Sequence, residues 1–158
     1  MEGIDPKTAM KLWEAEMTTE GRRRNMRANR SKDTSPEIRT RKALHSMGYR
    51  FRIHVKDLSG KPDIVLPKHK LVIFVHGCFW HQHPNCKLAS RPSSNTDYWC
   101  TKFERTRLRD KEHQLALEMA GWSVATIWEC ETREPPVLDK RLREVLENGL
   151  NSGPGEVI

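Results

Sequence analysis

The sequence predicts an α/β fold, with one mixed β-sheet flanked by helices, because segments of helical and of strand periodicity alternate along it. The predicted order is a helix, three strands, a second helix, a fourth strand and a last helix. With 158 residues, the chain is long enough for one domain around one hydrophobic core. Residues 76–98 interrupt the alternation and have little periodicity. A loop of that length inside a compact domain indicates a function or a bound metal ion.

Three segments carry the signals of helices. The first begins at Thr34-Ser35-Pro36-Glu37, which offers a capping serine and a proline in the first turn, and it should end at Gly48. The second should extend from about Asp97 to Ala120. The third follows Pro135-Pro136 and is amphipathic. Its apolar face consists of Leu138, Leu142, Val145 and Leu146.

Four segments are typical of strands. Residues 49–55 alternate apolar and polar side chains, which predicts a strand with one buried face. Residues 63–66 and residues 122–128 predict two further strands. The continuous apolar run of residues 71–75 predicts a central strand that is buried on both faces.

The charge of the chain is positive and unevenly distributed. The formal net charge is +7, and the excess lies in two stretches. The first contains Arg22, Arg23, Arg24, Arg27, Arg30 and Lys32, and the second contains Lys102, Arg105, Arg107, Arg109 and Lys111. Clustered basic residues favour nucleic acid as the partner, and a solvated basic face is the alternative.

The sequence shows neither a membrane span nor a secretory signal. No apolar run is long enough to cross a bilayer, and the first residues lack a basic flank before an apolar core. We therefore expect an intracellular protein without membrane contact. In that compartment the four cysteines are metal ligands or free thiols rather than disulfides.

The spacing of Cys and His residues predicts a zinc site. Cys78, His83 and Cys86 are close enough in sequence for a short loop to wrap one ion, and Cys130 follows the fourth strand. Three cysteines and one histidine are a common ligand set of structural zinc. Cys100 is the alternative fourth ligand, and we favour Cys130 because Cys100 lies at the start of a helix. Buried free thiols beside a surface histidine are the other interpretation.

A second set of residues has the chemistry of a hydrolytic site. Asp63 opens a short strand after a Gly turn, at the edge of the sheet, where a carboxylate can hold Mg²⁺. His76 and His81 flank the predicted zinc loop and can move protons near neutral pH. Glu37 is the fourth member of this set. The alternatives are simpler: Asp63 is a turn residue, and Glu37 is an acidic residue that suits a helix start.

Two aromatic pairs, Phe79-Trp80 and Tyr98-Trp99, lie in or beside the polar loop. Aromatic rings beside basic residues can stack on bases or insert between them. The same rings could instead form a small core that covers the zinc site, and the residues alone leave both interpretations open.

The hexapeptide His76-Gly77-Cys78-Phe79-Trp80-His81 resembles the signature loop of the very short patch repair (Vsr) DNA mismatch endonucleases. Three further blocks agree in order and at suitable spacing, so that the resemblance covers roughly residues 22–132. They are Asn25-Met26-Arg27 with Asp33-Thr34 and Glu37, then Gly60-Lys61-Pro62-Asp63, and then Gly121-Trp122 with Trp128-Glu129-Cys130.

The resemblance implies a core like that of the type II restriction endonucleases, a structural zinc ion and a catalytic Mg²⁺. It implies an enzyme that nicks one strand 5′ to the T of a T:G mismatch, the product of 5-methylcytosine deamination. Asp63 and the backbone carbonyl of Val75 would hold Mg²⁺, and His81 would act as general acid–base. The other expected catalytic residues are His76 at the phosphate, Glu37 as a support of the hydrated metal or of His81, and Asp110 as the partner of the catalytic histidine. The zinc ligands would be Cys78, His83, Cys86 and Cys130.

The resemblance also implies a DNA interface. Phe79, Trp80 and Trp99 would insert from the major-groove side, and Met26 would approach from the minor groove. The remaining expected DNA-binding residues are Arg22, Arg23, Arg24, Arg27 and Lys102. The substrate would be double-stranded DNA with a T:G mismatch, and mismatch-repair proteins and a cytosine-5 methyltransferase would be partners of a monomeric, cytoplasmic, nucleoid-associated bacterial enzyme.

On this basis we expect three parts: a basic DNA-binding arm (residues 1–33) that is partly disordered without DNA, an endonuclease domain (34–150) and a flexible tail (151–158). The sequence departs from the family pattern at Asn29, where an apolar residue is expected, at Val75, where a Thr is found, and at Thr106, where an Asn is usual. The loop His83-Pro84-Asn85-Cys86 is also one residue longer. These departures leave open a restriction-like or broader nuclease of the same fold, and a zinc-stabilised DNA-binding module without catalysis is a third hypothesis.

Overall fold

The computed structural model of the protein describes residues 32–151. The predicted arm and tail therefore lie almost entirely outside the described residues, whereas residues 35–151 belong to one compact unit. The helices are α1 (Ser35–Ser46), α2 (Thr96–Met119) and α3 (Pro135–Asn151), and the strands are β1 (Ile64–Leu66), β2 (Leu71–His76) and β3 (Ser123–Trp128). Two short 3-10 helices, Pro67–His69 and Glu129–Thr132, follow β1 and β3.

The sheet within residues 32–151 has three strands in the order β1-β2-β3. β1 pairs antiparallel with β2, whereas β2 pairs parallel with β3, with Leu71 opposite Ser123 and His76 opposite Trp128. Val72 and Ile73 in the middle of β2 have no exposed surface, although they point to opposite faces. The sequence-based prediction of a mixed sheet around a doubly buried central strand is therefore confirmed.

Each face of the sheet has its own apolar cluster. The first joins Ile64, Leu66 and Ile73 to Leu44 of α1 and to the apolar face of α3. The second joins Val65 and Val72 to Leu117 of α2. The sheet thus lies between α1 and α3 on one side and the C-terminal part of α2 on the other, which is the layered architecture that apolar strands with alternating faces require.

The strand predicted over residues 49–55 is wrong. Only Arg52 pairs with the sheet, through two backbone hydrogen bonds with Val65 of 2.7 and 2.9 Å. His54 has a φ of 56°, which turns the chain out of the extended conformation, and the Ile53 side chain is 39% exposed. Tyr49 and Phe51 do pack, partly buried, against the first core cluster, so the alternating pattern correctly indicated the inward side of these two positions but not of Ile53.

The helix boundaries agree with the sequence signals. α1 begins at Ser35, and Gly48 behind it has a φ of 86°, the left-handed conformation that glycine favours after a helix. α2 spans 24 residues, of which only Tyr98, Phe103 and Leu117 are buried. Most of its surface is therefore available to solvent or to a partner. Among the helices of residues 32–151, none is long and apolar enough to span a membrane.

Candidate active site and metal centre

A cluster of three cysteines and one histidine lies at the end of β2 and β3. The potential ligand atoms of Cys78, His83, Cys86 and Cys130 all lie within 4.8 Å of one another, a spacing that could hold a metal ion. Nδ1 of His83 is 3.8 Å from Sγ of Cys78 and 3.5 Å from Sγ of Cys130. A tetrahedral zinc ion separates its sulfur and nitrogen ligands by about 3.6 Å. The donor set and its spacing therefore fit zinc.

The fold explains how these residues meet. β2 and β3 are parallel neighbours, so their carboxyl ends lie at the same edge of the sheet, where Cys78 and Cys130 follow. The backbone N–H of Cys130 donates to Sγ of Cys78 at 3.4 Å. His83 returns to Cys78 through a turn in which its N–H donates to the Cys78 carbonyl. Cys100, the alternative ligand, is exposed in the first turns of α2 and lies outside the cluster.

Without a metal ion, the buried thiol of Cys78 is held in its protonated form. Cys78 is fully buried, and burial raises the pKa of its thiol to about 12, although the N–H bond from Cys130 works in the other direction. A buried, protonated thiol gains from a cation that replaces its proton, because the thiolate is the metal ligand.

A second group of side chains lies beside this cluster. Nδ1 of His81 is 2.5 Å from Oδ2 of Asp110 on α2. The imidazole of His76, the last residue of β2, stacks on that of His81 with centroids 3.8 Å and planes 4° apart. The potential ligand atoms of the three residues also lie close together. Lone pairs of parallel rings do not converge on one ion, so this geometry suits proton transfer better than shared metal binding.

The charges of this group are unequally distributed. Burial, and then the neighbouring His81, lower the pKa of His76 to about 4. Burial raises the pKa of Asp110, but the hydrogen bond and the charge of His81 outweigh it, so that this pKa lies below its usual value. Near neutral pH, Asp110 is therefore an anion and His76 a neutral imidazole.

Asp63 lies at the start of β1 and faces the end of β2. Its Oδ2 accepts a 2.7 Å hydrogen bond from the backbone N–H of Val75. Burial raises the pKa of Asp63 to about 6. The nearby carboxylate of Glu37 also raises this pKa, whereas the hydrogen bond from Val75 lowers it. Glu37 is itself buried and accepts a 3.0 Å hydrogen bond from Arg41. Two neighbouring, largely buried carboxylates offer the oxygen donors that a hard divalent cation prefers.

The aromatic residues of the loop and of α2 form one cluster. Phe79 packs edge-to-face against Trp80, Trp99 and Phe103, with centroids 5.1–5.5 Å apart. Phe103 is buried at the base of this cluster, whereas the rings of Phe79, Trp80 and Trp99 are half-buried. The two interpretations from the sequence are thus compatible, because the rings build a small core and still present part of their surface.

Lys102 lies among these rings. Its Nζ is 5.5 Å from the centroids of Trp80, Tyr98 and Trp99, and it donates a 3.2 Å hydrogen bond to the Tyr98 hydroxyl. A cation over several aromatic faces is attracted to each of them. The aromatic cluster therefore carries a positive charge at its surface. The other predicted DNA-binding residues, Met26, Arg27 and Arg22 to Arg24, lie outside the described residues.

Comparison with known proteins decides the family. Residues 15–88 match the family model described as DNA mismatch endonuclease Vsr. The Type II nicking enzyme V.XorIIP of Xanthomonas oryzae pv. oryzae is 50% identical over 83% of this chain and 96% of its own length. The chain belongs to the Vsr family of DNA mismatch endonucleases. Its members also include DNA mismatch endonuclease Vsr of Escherichia coli, which is 39% identical over 82% of this chain and 83% of its own length.

Membership of the Vsr family makes the protein a DNA-cleaving enzyme, and DNA is its substrate. A second nicking enzyme, V.NmeAIP of Neisseria meningitidis, is 42% identical over 73% of this chain and 82% of its own length. Among solved structures, the catalytic domain of the homing endonuclease I-Bth0305I superposes with a TM-score of 0.50, at 20% identity, over 75% of this chain and 99% of that domain. This likeness confirms the predicted endonuclease fold.

Three features of this Vsr site were not found from the sequence. Trp128 stacks on His83 with centroids 4.2 Å apart and also contacts His76. His113 of α2 contacts the turn before Asp63, where its Nδ1 is 3.0 Å from Oγ of Ser59. Arg41 binds Glu37. The last could have been predicted, because Glu37 and Arg41 are four residues apart on one helix. The other two depend on long-range packing.

Proposed function

We propose that this Vsr-family enzyme nicks one strand 5′ to the T of a T:G mismatch by Mg²⁺-dependent hydrolysis, the first step of very short patch repair. The observation that carries the proposal is the meeting of two chemistries at the end of β2. Asp63 binds the backbone of Val75, and the next residue, His76, stacks on His81. A carboxylate suited to Mg²⁺ and a histidine suited to proton transfer thus lie near the same end of β2.

Asp63 is the residue best placed to hold Mg²⁺. A strand residue directs its N–H and its carbonyl to the same side, so the Val75 carbonyl also faces Asp63 and can be a second ligand. Glu37, buried and near Asp63, would support the waters of the hydrated ion. When bound, Mg²⁺ polarises the scissile phosphodiester and stabilises the leaving oxygen.

The histidines divide the proton chemistry between them. Asp110 orients His81 through the Nδ1 hydrogen bond, which leaves Nε2 as the atom that exchanges a proton with water or with the leaving oxygen. His76 stays neutral because it is buried against His81, and it can donate a hydrogen bond to a phosphate oxygen. His81 is therefore proposed as the general acid–base and His76 as a phosphate contact.

The Cys/His cluster gives the loop a fixed shape. Phe79, Trp80 and His81 lie between Cys78 and His83, so one loop carries both an aromatic surface and the catalytic histidine. Zinc bound by Cys78, His83, Cys86 and Cys130 would hold this loop rigid. We propose that Phe79, Trp80 and Trp99 insert beside the mismatch, where an unstable T:G pair lowers the cost of unstacking.

Charge and the N-terminal residues complete the proposed interface. Lys102 would contact DNA from within the aromatic cluster. Met26 would approach from the minor groove, and Arg27 and Arg22 to Arg24 would bind DNA beside it. A cytosine-5 methyltransferase and mismatch-repair proteins are proposed partners. The methyltransferase makes the base whose deamination gives the T:G pair, and the nicked strand must be resynthesised after the reaction. One asymmetric site on an asymmetric substrate suits a monomer.

A wider specificity is the alternative, and Thr106 favours it. The Thr106 hydroxyl donates to the Lys102 carbonyl at 3.0 Å. The side chain that replaces a usual Asn thus donates its hydroxyl proton to its own helix and has no amide group to offer DNA. Cleavage of perfectly paired DNA at a rate comparable to that of mismatched DNA would support this alternative.

The proposal is tested with duplexes that carry one T:G pair in randomised flanks, each strand labelled separately, with Mg²⁺ and with EDTA. A nick on the T strand, in Mg²⁺ only, is the expected result. The same duplexes with T:A pairs should stay intact. Absence of cleavage in every flank, or equal cleavage of both strands, would overturn the proposal.

A further inference from the structure

The indole of Trp128 lies between the Cys/His cluster and the stacked histidines. Its ring stacks on His83 with centroids 4.2 Å and planes 10° apart. The ring of His76 meets the same indole edge-to-face, with centroids 5.5 Å and planes 73° apart. One side chain thus contacts a ring from each of the two sites.

The register of the sheet explains this arrangement. His76 and Trp128 are the last residues of β2 and β3, and they lie directly opposite each other in the parallel pair. The backbone of Trp128 is held in place on its other side, where its N–H donates to Oε2 of Glu131 at 2.9 Å. Glu131 also pairs with Arg141 of α3 at 3.3 Å. The indole is therefore attached to a fixed backbone.

The contacts continue from Trp128 to the catalytic residues. His76 stacks on His81, and His81 binds Asp110 of α2. These contacts join five side chains in the order His83, Trp128, His76, His81 and Asp110. Each stacked pair restricts the tilt of its rings, because an offset or edge-to-face contact is lost when one ring rotates. A change in the Trp128 ring would therefore reach His81 through a single intermediate residue.

We propose that Trp128 is a positioning residue, which holds His76 and His81 in their stacked arrangement and is itself held by the His83 ring of the Cys/His cluster. The proposal rests on the proposed function, because it assigns the two histidines to the reaction. A metal ion on the cluster would fix the plane of His83, as ligation does for metal-bound imidazoles. The cluster would then contribute to catalysis through ring packing as well as through loop rigidity.

The test compares Trp128→Leu and Trp128→Phe, with Trp122→Leu as the matched control. Trp122 is also half-buried, but it packs in the second core cluster with Val65, Val72 and Leu117, beneath Lys70. Four quantities are measured: the ring signals of the histidines by two-dimensional NMR, the zinc content, the Kd for a T:G duplex, and the single-turnover nicking rate at saturating enzyme.

Trp128→Leu should shift the ring signals of His76 and His81 while it keeps its zinc and binds the duplex within about twofold of wild type. Its nicking rate should fall about tenfold or more, because small displacements of catalytic groups have effects of that size. Trp128→Phe should restore most of the rate, since a second aromatic ring can occupy the gap. Trp122→Leu should leave the His76 and His81 signals in place.

Two results would overturn the proposal. One is a Trp128→Leu variant whose His76 and His81 signals coincide with those of wild type. The other is loss of zinc and rate together in both Trp128 variants, which would make Trp128 a support of the metal cluster only. If the wild-type enzyme fails to nick T:G duplexes, the proposed function is wrong, and the NMR signals still decide whether Trp128 orders the histidines.

Discussion

The imidazole rings of His76 and His81 lie parallel at 3.8 Å, and only one of them can carry a positive charge without strong repulsion. Asp110 binds His81, whereas burial disfavours the charged form of His76. This asymmetry assigns different roles to two otherwise identical side chains.

The pH dependence of His76 follows from this asymmetry. Its pKa is lowered from 6.5 to about 4, so the folded protein binds this proton less readily than the unfolded chain. Stability linked to His76 is therefore fully present above about pH 6.5 and is lost as pH falls towards 4, by about 2–3 kcal/mol. NMR titration of the His76 ring should give a midpoint near the lower value, and a midpoint close to that of free histidine would contradict the assignment. The His76→Gln variant should lose less stability over the same range.

Replacing Asp63 by Asn should abolish cleavage and stabilise the fold. Burial raises the pKa of Asp63 to about 6, so its stabilising contribution is present below about pH 4, is lost as pH rises through 6, and is absent at neutral pH. Asn keeps an oxygen for the Val75 N–H but has no charge. Without bound Mg²⁺, Asp63→Asn should raise the free energy of unfolding of the protein by about 1–3 kcal/mol near neutral pH. Denaturant titration at pH values on both sides of 6 measures this, and equal effects at both would refute it.

Gly60 should be sensitive to the smallest substitution. A Cβ at Gly60 would lie 2.8 Å from Cβ of His113, and its φ is +73°. Gly60→Ala should therefore destabilise the protein by about 2–4 kcal/mol and slow cleavage, because the displaced turn leads into Asp63. The control is Gly121→Ala, at a φ of +90° with open space around it, which should cost about 1 kcal/mol. If thermal unfolding shows equal losses for both variants, the contact with His113 is unimportant.

Metal binding should depend on Cys130 and be independent of Cys100. Cys130→Ser removes one donor of the Cys/His cluster, and it should release zinc and destabilise the protein by on the order of 5 kcal/mol. Cys100→Ser changes an exposed thiol, and this variant should keep its zinc and its stability. Zinc content and the unfolding midpoint of the two variants decide this, and loss of zinc from Cys100→Ser would require a different ligand set.

The clustering of Cys78, His83, Cys86 and Cys130 could be predicted from the sequence because three of them share one loop and the fourth follows a neighbouring parallel strand. Local spacing and strand order were sufficient for that set. The pairing of His81 with Asp110 was implied only by the family resemblance, since the two are 29 positions apart and on different elements.

Trp128 and the segment of residues 49–55 show what the sequence could not supply. The contact of Trp128 with His76 depends on the register between β2 and β3, and the continuous apolar run of β2 has no alternation that would fix which residue pairs with which. The alternation over residues 49–55 correctly identified Tyr49 and Phe51 as core-facing, but Ile53 is exposed, and the left-handed His54 ends the extended backbone. Burial pattern and strand pairing are separate properties, and only the first is visible in periodicity.

The central claim is that the Asp63 carboxylate and the His81–Asp110 pair together hydrolyse one phosphodiester beside a T:G mismatch. The most direct measurement is single-turnover cleavage of a doubly labelled T:G duplex by wild type, Asp63→Asn and Asp110→Asn in Mg²⁺. We predict one nick 5′ to the T with wild type, none with Asp63→Asn, and a rate lowered by about 100-fold or more with Asp110→Asn at unchanged duplex affinity. Wild-type rates in either variant, or equal cutting of a T:A duplex, would contradict this account.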